Sequence, residues 1–228
     1  MQYFTHKTTP THQAEKVFSY PRAFFGISLN AKNTSIKDQV AGYLWTRSHF
    51  KHSAVLLGDS LYRLTLQIYQ EIDDETAEKE ASIQGEALLR NFLGQLDHTP
   101  ELLRCTTLMT QPSFEANLLA VDRFFSECSE FSSSIKDDAR TYIDRQQAKG
   151  VLGTNYEKAM MLAERYLKAE VAIYSTLAAE GWLVDVYIGD ELPTLKKIIQ
   201  GSVPTVSPPL QNRINVSLKS KRKNPVPL

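Results

Sequence analysis

The sequence predicts one α/β domain, built on a mostly parallel central sheet flanked by helices. Short apolar runs of strand length alternate with longer stretches whose apolar residues recur at three- and four-residue steps. Two buried strands separated by a helix make a βαβ unit, and such units close right-handed into a parallel sheet. With 228 residues, 42% of them hydrophobic, the chain is long enough for a single core that needs no disulfide or metal staple.

Ala23-Phe-Phe-Gly-Ile-Ser-Leu29 is the first strand, bounded by Pro21 and by the loop Asn30-Ala-Lys-Asn33. Ser35 then caps a helix that carries Ile36, Val40, Tyr43 and Leu44 on one face. His52-Ser-Ala-Val-Leu-Leu-Gly-Asp59 is a second strand ending in a turn, followed by a long helix over about 61–96 and a strand over 103–109. After Pro112 most of seventy residues read as helical, with Leu118, Val121, Phe124, Phe125, Cys128 and Phe131 at helical steps. Gly150 and Gly153 divide this stretch into two helices, the second running from about 154 to 179. Trp182-Leu-Val-Asp-Val-Tyr-Ile188 is a further strand and 193–200 a short helix. Residues 201–228 are expected to form a loop-rich basic C-terminal segment of the single domain 1–228.

The 26 basic and 26 acidic side chains cancel, but not evenly along the chain. Residues 1–63 hold eight basic and three acidic groups, 64–191 hold eleven and twenty-three, and 192–228 hold seven basic groups and no acid. Acidic runs such as Glu71-Ile-Asp-Asp-Glu75 read as solvated helix faces, and the basic tail as a disordered end or a phosphate-binding arm. The first twenty residues lack the apolar stretch of a signal peptide, and no uncharged apolar run approaches the roughly 18 residues of a membrane helix. Cys105 and Cys128 fit a reducing compartment, so the expectation is a cytoplasmic protein without a membrane partner. The lack of a heptad seam leaves a monomer as the expected state.

Sites in such a sheet lie at the C-terminal ends of its strands, which draws attention to Gly26-Ile27-Ser28. A glycine two residues before the serine lets a substrate approach the strand while the hydroxyl faces the crevice. The same pattern also suits a turn or capping serine. All five histidines lie in the first 98 residues, which argues against the serine, acid, histidine order of an α/β-hydrolase triad. His49 and His52 have no nearby cysteine, and Cys105 and Cys128 are too far apart for a CxxC pair, so no metal is expected. No dinucleotide or P-loop glycine motif follows a strand, so no cofactor is expected either. Tyr166 and Glu170, four residues apart on a helix, share a face and suit a ligand ammonium. A solvent-facing pair is the other reading of that spacing.

Four segments, Phe24-Phe-Gly-Ile-Ser28, Val55-Leu-Leu-Gly-Asp-Ser60, the stretch Asp122 to Phe131, and Tyr166-Leu-Lys-Ala-Glu170 followed by Tyr187 and Pro193, resemble in order and spacing the cyclodipeptide synthases. That resemblance covers roughly residues 20–200. It implies a Rossmann-like domain similar to the catalytic domains of class I tyrosyl- and tryptophanyl-tRNA synthetases without their ATP-binding motifs. It implies an aminoacyltransferase that makes a cyclic dipeptide from two aminoacyl-tRNAs, with no cofactor. By the same resemblance Ser28 is the nucleophile that accepts the first aminoacyl group as an ester, Tyr166 and Glu170 hold its ammonium and support proton transfer, and Tyr187 helps in cyclisation. Phe24, Gly26, Ala31, Leu56 and Asp59 correspond to positions around the substrate. Ala31 and Ile188 stand where one subfamily has Asn and His, and a second subfamily has Pro where this chain has Ile188. The stretch Glu71 to Glu86 is acidic where well-studied members carry a basic tRNA-binding helix, so Lys32, Lys37, Lys196 and Lys197 are the expected phosphate contacts. A non-catalytic tRNA-binding module with a synthetase-like fold, or a small-metabolite transferase on the same sheet, are the competing readings.

Overall fold

The computed structural model describes residues 3–29 and 35–221. Among these residues six strands form one sheet: β1 (Tyr3–Thr9), β2 (Arg22–Ile27), β3 (His52–Leu57), β4 (Glu101–Arg104), β5 (Val184–Ile188) and β6 (Ile214–Lys221). Their spatial order is β1-β6-β5-β2-β3-β4. Every neighbouring pair is parallel except β1 with β6, which run antiparallel. From β2 the chain builds outward through β3 to β4, then returns to lay β5 and β6 on the other flank of β2. The strand order therefore reverses between β2 and β5, and such switch points open a crevice at the carboxyl ends of the strands.

Alternation along β2 divides its side chains between two cores. Ala23, Phe25 and Ile27 face α1 (Ile36–His49) and α3 (Asp74–Leu93), in a cluster with Tyr43, Leu89 and Phe92. Phe24 faces the opposite layer, which contains α2 (Asp59–Tyr69), α5 (Pro112–Glu127), α6 (Ser129–Ala148), α7 (Tyr156–Ala179) and α8 (Pro193–Ile199). Phe24 and Phe25 are 0% and 1% exposed, and burial of each such ring contributes roughly 1.5–3 kcal/mol. The sheet is thus covered on both faces, as a parallel sheet requires.

The predicted cap of α1 is a full capping box: the Asp38 amide donates to Ser35 Oγ at 3.1 Å, and the Ser35 amide donates to Asp38 Oδ2 at 3.1 Å. Several boundaries differ from the sequence reading. The single helix expected over 61–96 is two helices, because Asp73 caps a new one through the Thr76 amide at 2.7 Å. Arg63 of α2 and Glu78 of α3 then tie the two together at 2.7 Å. The strand expected over 103–109 is only four residues long. Its continuation turns at once into the short helix α4 (Cys105–Leu108), since the Thr106 amide is drawn to buried Asp59 Oδ1 at 3.0 Å.

Beyond Pro112 there are three long helices rather than two, because Cys128 adopts an extended conformation (φ −112, ψ 107) between α5 and α6. Residues 201–228 are not only loop: the segment holds a short helix α9 (Pro208–Gln211) and β6. Ile214, Val216 and Leu218 alternate with Asn215 and Ser217, which is the period-two pattern of a strand, and strand β1 pairs on its far side. Lys219, placed in the basic tail by the sequence reading, is therefore a sheet residue, whereas residues 222–228 lie outside the described residues. Among the described residues no helix is long and apolar enough to cross a membrane.

Candidate active site

The crevice at the switch point holds a cavity of about 300 Å³. Strand β2 delivers Gly26 and, just past its end, half-buried Ser28 to the wall. Across the switch point β5 presents Tyr187, and overhead α7 presents Tyr166 and Glu170 one turn apart. Leu56, the next residue in register with Gly26 on β3, completes the wall on the other side. The structure thus gathers Ser28, Gly26, Tyr166, Glu170, Tyr187 and Leu56 around one cavity. The solvent-facing alternative for Tyr166 and Glu170 is overturned, because α7 is an inner helix packed between the sheet and its neighbours.

Glu170 is the chemically unusual group. Burial, reinforced by the nearby carboxylates of Asp185, Glu191 and Asp138 and opposed by Arg213, lifts its pKa to about 8. Its Oε2 is shielded from solvent and has no hydrogen-bond partner. Burial also pushes the Tyr166 and Tyr187 hydroxyls upward, with Glu170 the next contribution in both cases. Both phenols therefore remain protonated near neutrality and act as hydrogen-bond donors beside a carboxyl group poised to exchange a proton.

A second cluster was not foreseen from the sequence. Arg213, only 1% exposed, reaches along the floor of the cavity, donates to Asp185 Oδ2, pairs with Glu191 at 3.0 Å and stacks 3.9 Å above the ring of Tyr174. Asn215 adds a hydrogen bond to Asp185 Oδ2 at 3.3 Å. One signal for this cluster is present in the sequence, namely a charged residue at an inward-facing position of the apolar run 182–188. Arg213 and Glu191 carry no comparable sign, because sequence spacing does not reveal that they meet.

Two of the expected substrate positions fall elsewhere. Phe24 does not line the cavity; it lies beneath it, stacked on Tyr174 with ring centroids 6.0 Å apart. Asp59 is fully buried behind the wall, where it accepts from the Ser60 amide at 3.0 Å, the Thr106 amide at 3.0 Å and Arg104 Nε at 2.8 Å. Its carboxylate is thus committed to organising the start of α2 and the turn into α4. Ala31 and Lys32 lie outside the described residues. Lys37 is exposed on the first turn of α1, the helix that follows β2 in the chain. Lys196 is exposed on α8, whose Leu195 lines the cavity, and Lys197 donates to Ser134 Oγ at 3.3 Å. The acidity of residues 71–86 is partly absorbed in ion pairs, Glu78 with Arg63 and Glu86 with Arg104. Among the described residues no cluster of three or more His, Cys, Asp or Glu side chains is arranged to hold a metal ion.

No family model matches the chain, and no curated protein matches it in sequence. Solved structures do match. A cyclodipeptide synthase (CDPS) from Fluoribacter dumoffii superposes with a TM-score of 0.80 at 19% identity, over 98% of this chain and 100% of that one. A Mycobacterium tuberculosis protein, whose structure relates cyclodipeptide synthetases to type I tRNA synthetases, gives 0.74 at 12% identity over 96% and 94%. The cyclodipeptide synthase of Candidatus Glomeribacter gigasporarum, solved bound to Phe-tRNAPhe, gives 0.68 at 18% identity over 97% of each chain. Over nearly its whole length, then, this chain has the cyclodipeptide synthase fold.

Proposed function

We propose that the protein is a tRNA-dependent cyclodipeptide synthase that works through an aminoacyl-Ser28 ester. The observation that carries this reading is the convergence of Ser28, Tyr166, Glu170 and Tyr187 on one cavity at the switch point of that fold. A solved protein of the same fold holds Phe-tRNAPhe, which supports aminoacyl-tRNA as the substrate class here.

The chemistry suits the groups present. Ser28 Oγ attacks the carbonyl of the first aminoacyl-tRNA, the ribose hydroxyl of the tRNA leaves with the serine proton, and one ester replaces another. Such an exchange is nearly isoenergetic and depends on positioning rather than on a strong base, so a serine serves without histidine. The bound amine then attacks the second aminoacyl-tRNA ester, forming a peptide bond and releasing the second tRNA. For that step the ammonium must lose a proton. Burial lifts Glu170 to about 8 without substrate, and an ammonium beside it favours the carboxylate, so the group that binds the ammonium is also placed to take its proton. Finally the free amine of the dipeptide attacks the Ser28 ester, closing the six-membered ring and returning the proton to Oγ. Tyr187, on the strand facing Gly26, is the donor beside that last step.

The test is direct. Purified protein incubated with a pool of aminoacyl-tRNAs yields a diketopiperazine detectable by mass spectrometry, and intact-mass analysis finds an aminoacyl adduct that Ser28→Ala abolishes. Binding of tRNA without any product or adduct would instead identify a non-catalytic tRNA-binding module.

A further inference from the structure

If the synthase reading above holds, the cavity houses two aminoacyl side chains, and its two flanks are chemically unlike. Ser28 follows the central strand β2, with β3 on one side and β5 and β6 on the other. The β3 flank is apolar, formed by Leu56 together with Leu61, Ile68 and Leu167. The β5 and β6 flank is charged, formed by Asp185, Glu191, Arg213 and Asn215.

That charged flank is incomplete as it stands. Arg213 meets one oxygen of each carboxylate, but Asp185 Oδ1 and Glu191 Oε2 are shielded from solvent and have no hydrogen-bond partner. Each buried acceptor left in this state costs about 1–3 kcal/mol; both belong to residues that line the cavity, and a ligand donor reaches them once those side chains turn toward it. Arg213 Nε is also unpartnered, but it is one donor beside two acceptors and already belongs to a cation shared by two acids. With Glu170, Asp138 and Asp190 also among the lining residues, five carboxyl groups share the cavity with a single guanidinium. Burial raises the pKa of Glu170 to about 8 and of Glu191 to about 7, and raises that of Asp185. An anionic ligand group would therefore drive these groups further toward their protonated forms, a cationic one would favour the carboxylates, and an apolar one would leave the oxygens desolvated and unpaired.

Position agrees with chemistry. Asp185 Oδ1 lies 3.8 Å from where a β-carbon on Gly26 would stand. Gly26 precedes Ser28 by two residues of strand, about 7 Å, which is the reach of a long basic side chain whose backbone end is held at Ser28. Glu170 is engaged by the α-ammonium, so it does not compete for that side chain.

We infer that the two aminoacyl groups differ in kind: one is apolar and sits on the β3 flank, and the other carries a cationic side chain whose N–H groups meet Asp185 Oδ1 and Glu191 Oε2. Because ring closure consumes both α-amines, the product keeps only its side-chain charge and is a cation at neutral pH.

The experiment supplies wild-type protein with a complete pool of aminoacyl-tRNAs and separates the diketopiperazines by cation exchange before mass spectrometry. The expected result is a dominant product with a lysyl or arginyl side chain, at least tenfold over products with two uncharged side chains. A dominant product with two uncharged side chains would overturn this inference and leave the synthase reading standing. Formation of no diketopiperazine from any aminoacyl-tRNA would overturn the synthase reading and this inference with it. In Glu191→Gln, which keeps the shape and a hydrogen bond to Arg213, the ratio of cationic to neutral products should fall at least tenfold. An unchanged ratio would remove Glu191 from side-chain selection.

Discussion

A β-carbon on Gly26 would stand 3.3 Å from Cδ2 of Tyr187, so the crevice between β2 and β5 is open only because residue 26 has no side chain. Alanine there forces the tyrosine ring to shift by a few tenths of an ångström. Valine places further methyl groups in the cavity itself, with an overpacking cost of about 1–3 kcal/mol. Gly26→Val is expected to lose at least tenfold in product formation while the melting temperature falls by only a few degrees. Full product formation by this variant, followed by mass spectrometry, would show that substrate does not use the crevice.

On the proposed mechanism, Ser28→Ala removes the attacking oxygen without adding volume. The expected outcome is loss of the covalent aminoacyl adduct on intact-mass analysis, and a fall in product formation of at least a hundredfold, about 3 kcal/mol of lost transition-state stabilisation. An adduct that persists at the same mass would place the nucleophile at another residue.

The raised pKa of Glu170 has a signed consequence for stability. Its value is about 8 in the folded protein against 4.5 for the free side chain, so between those pH values the folded state holds a proton that the unfolded state has lost. Stability from this group is present below pH 4.5 and declines as pH rises through about 8. Glu170→Gln removes the titration, so its melting temperature relative to wild type should rise progressively between pH 5 and pH 8. An increment on the order of 2 kcal/mol corresponds to roughly 4–8 °C in a chain of this size. A pH-independent difference, measured by thermal melts across that range, would refute the assignment.

Arg213 holds two buried carboxylates, and its removal leaves both without their cation. Arg213→Met is therefore expected to destabilise the protein by about 3–5 kcal/mol at pH 8. The loss should shrink toward pH 5, because Asp185 and Glu191, whose pKa values burial already raises, then take up protons instead of remaining unpaired charges. Denaturant melts at the two pH values provide the comparison.

Lys37 and Lys196 are exposed, the first on α1 and the second on α8, whose Leu195 lines the cavity. If each meets a tRNA phosphate, replacing both by alanine flattens the slope of log binding constant against log salt concentration by roughly 0.7–0.9 per contact. An unchanged slope would direct the search for the tRNA route to another surface.

Much of this architecture is legible along the chain. Residues 23–27, 52–57 and 184–188 are apolar runs of the right length, and Ser35 with Asp38 is a local capping pair whose geometry depends on neighbours only three residues apart. The divisions at 70–73 and at Cys128 are harder to read. Both sides of each break keep helical periodicity, and the break depends on where the second helix must pack. Strand β6 hides among Pro, Ser and Lys residues that resemble a tail, although Ile214, Val216 and Leu218 alternate as a strand should. Phe24 and Asp59 mark the converse error, since segments that frame a site also contain residues that support it from behind.

By itself the sequence determined the class of fold, the strand that ends at Ser28, and the pairing of Tyr166 with Glu170 on one helix face, because each depends on periodicity or short-range spacing. Only the tertiary structure decided that these groups share one cavity with Tyr187, and that a buried Asp185, Arg213 and Glu191 cluster forms its charged flank. Those contacts join residues far apart in sequence across three elements, and their energies depend on exclusion of water, a property of the packed whole that no local pattern encodes.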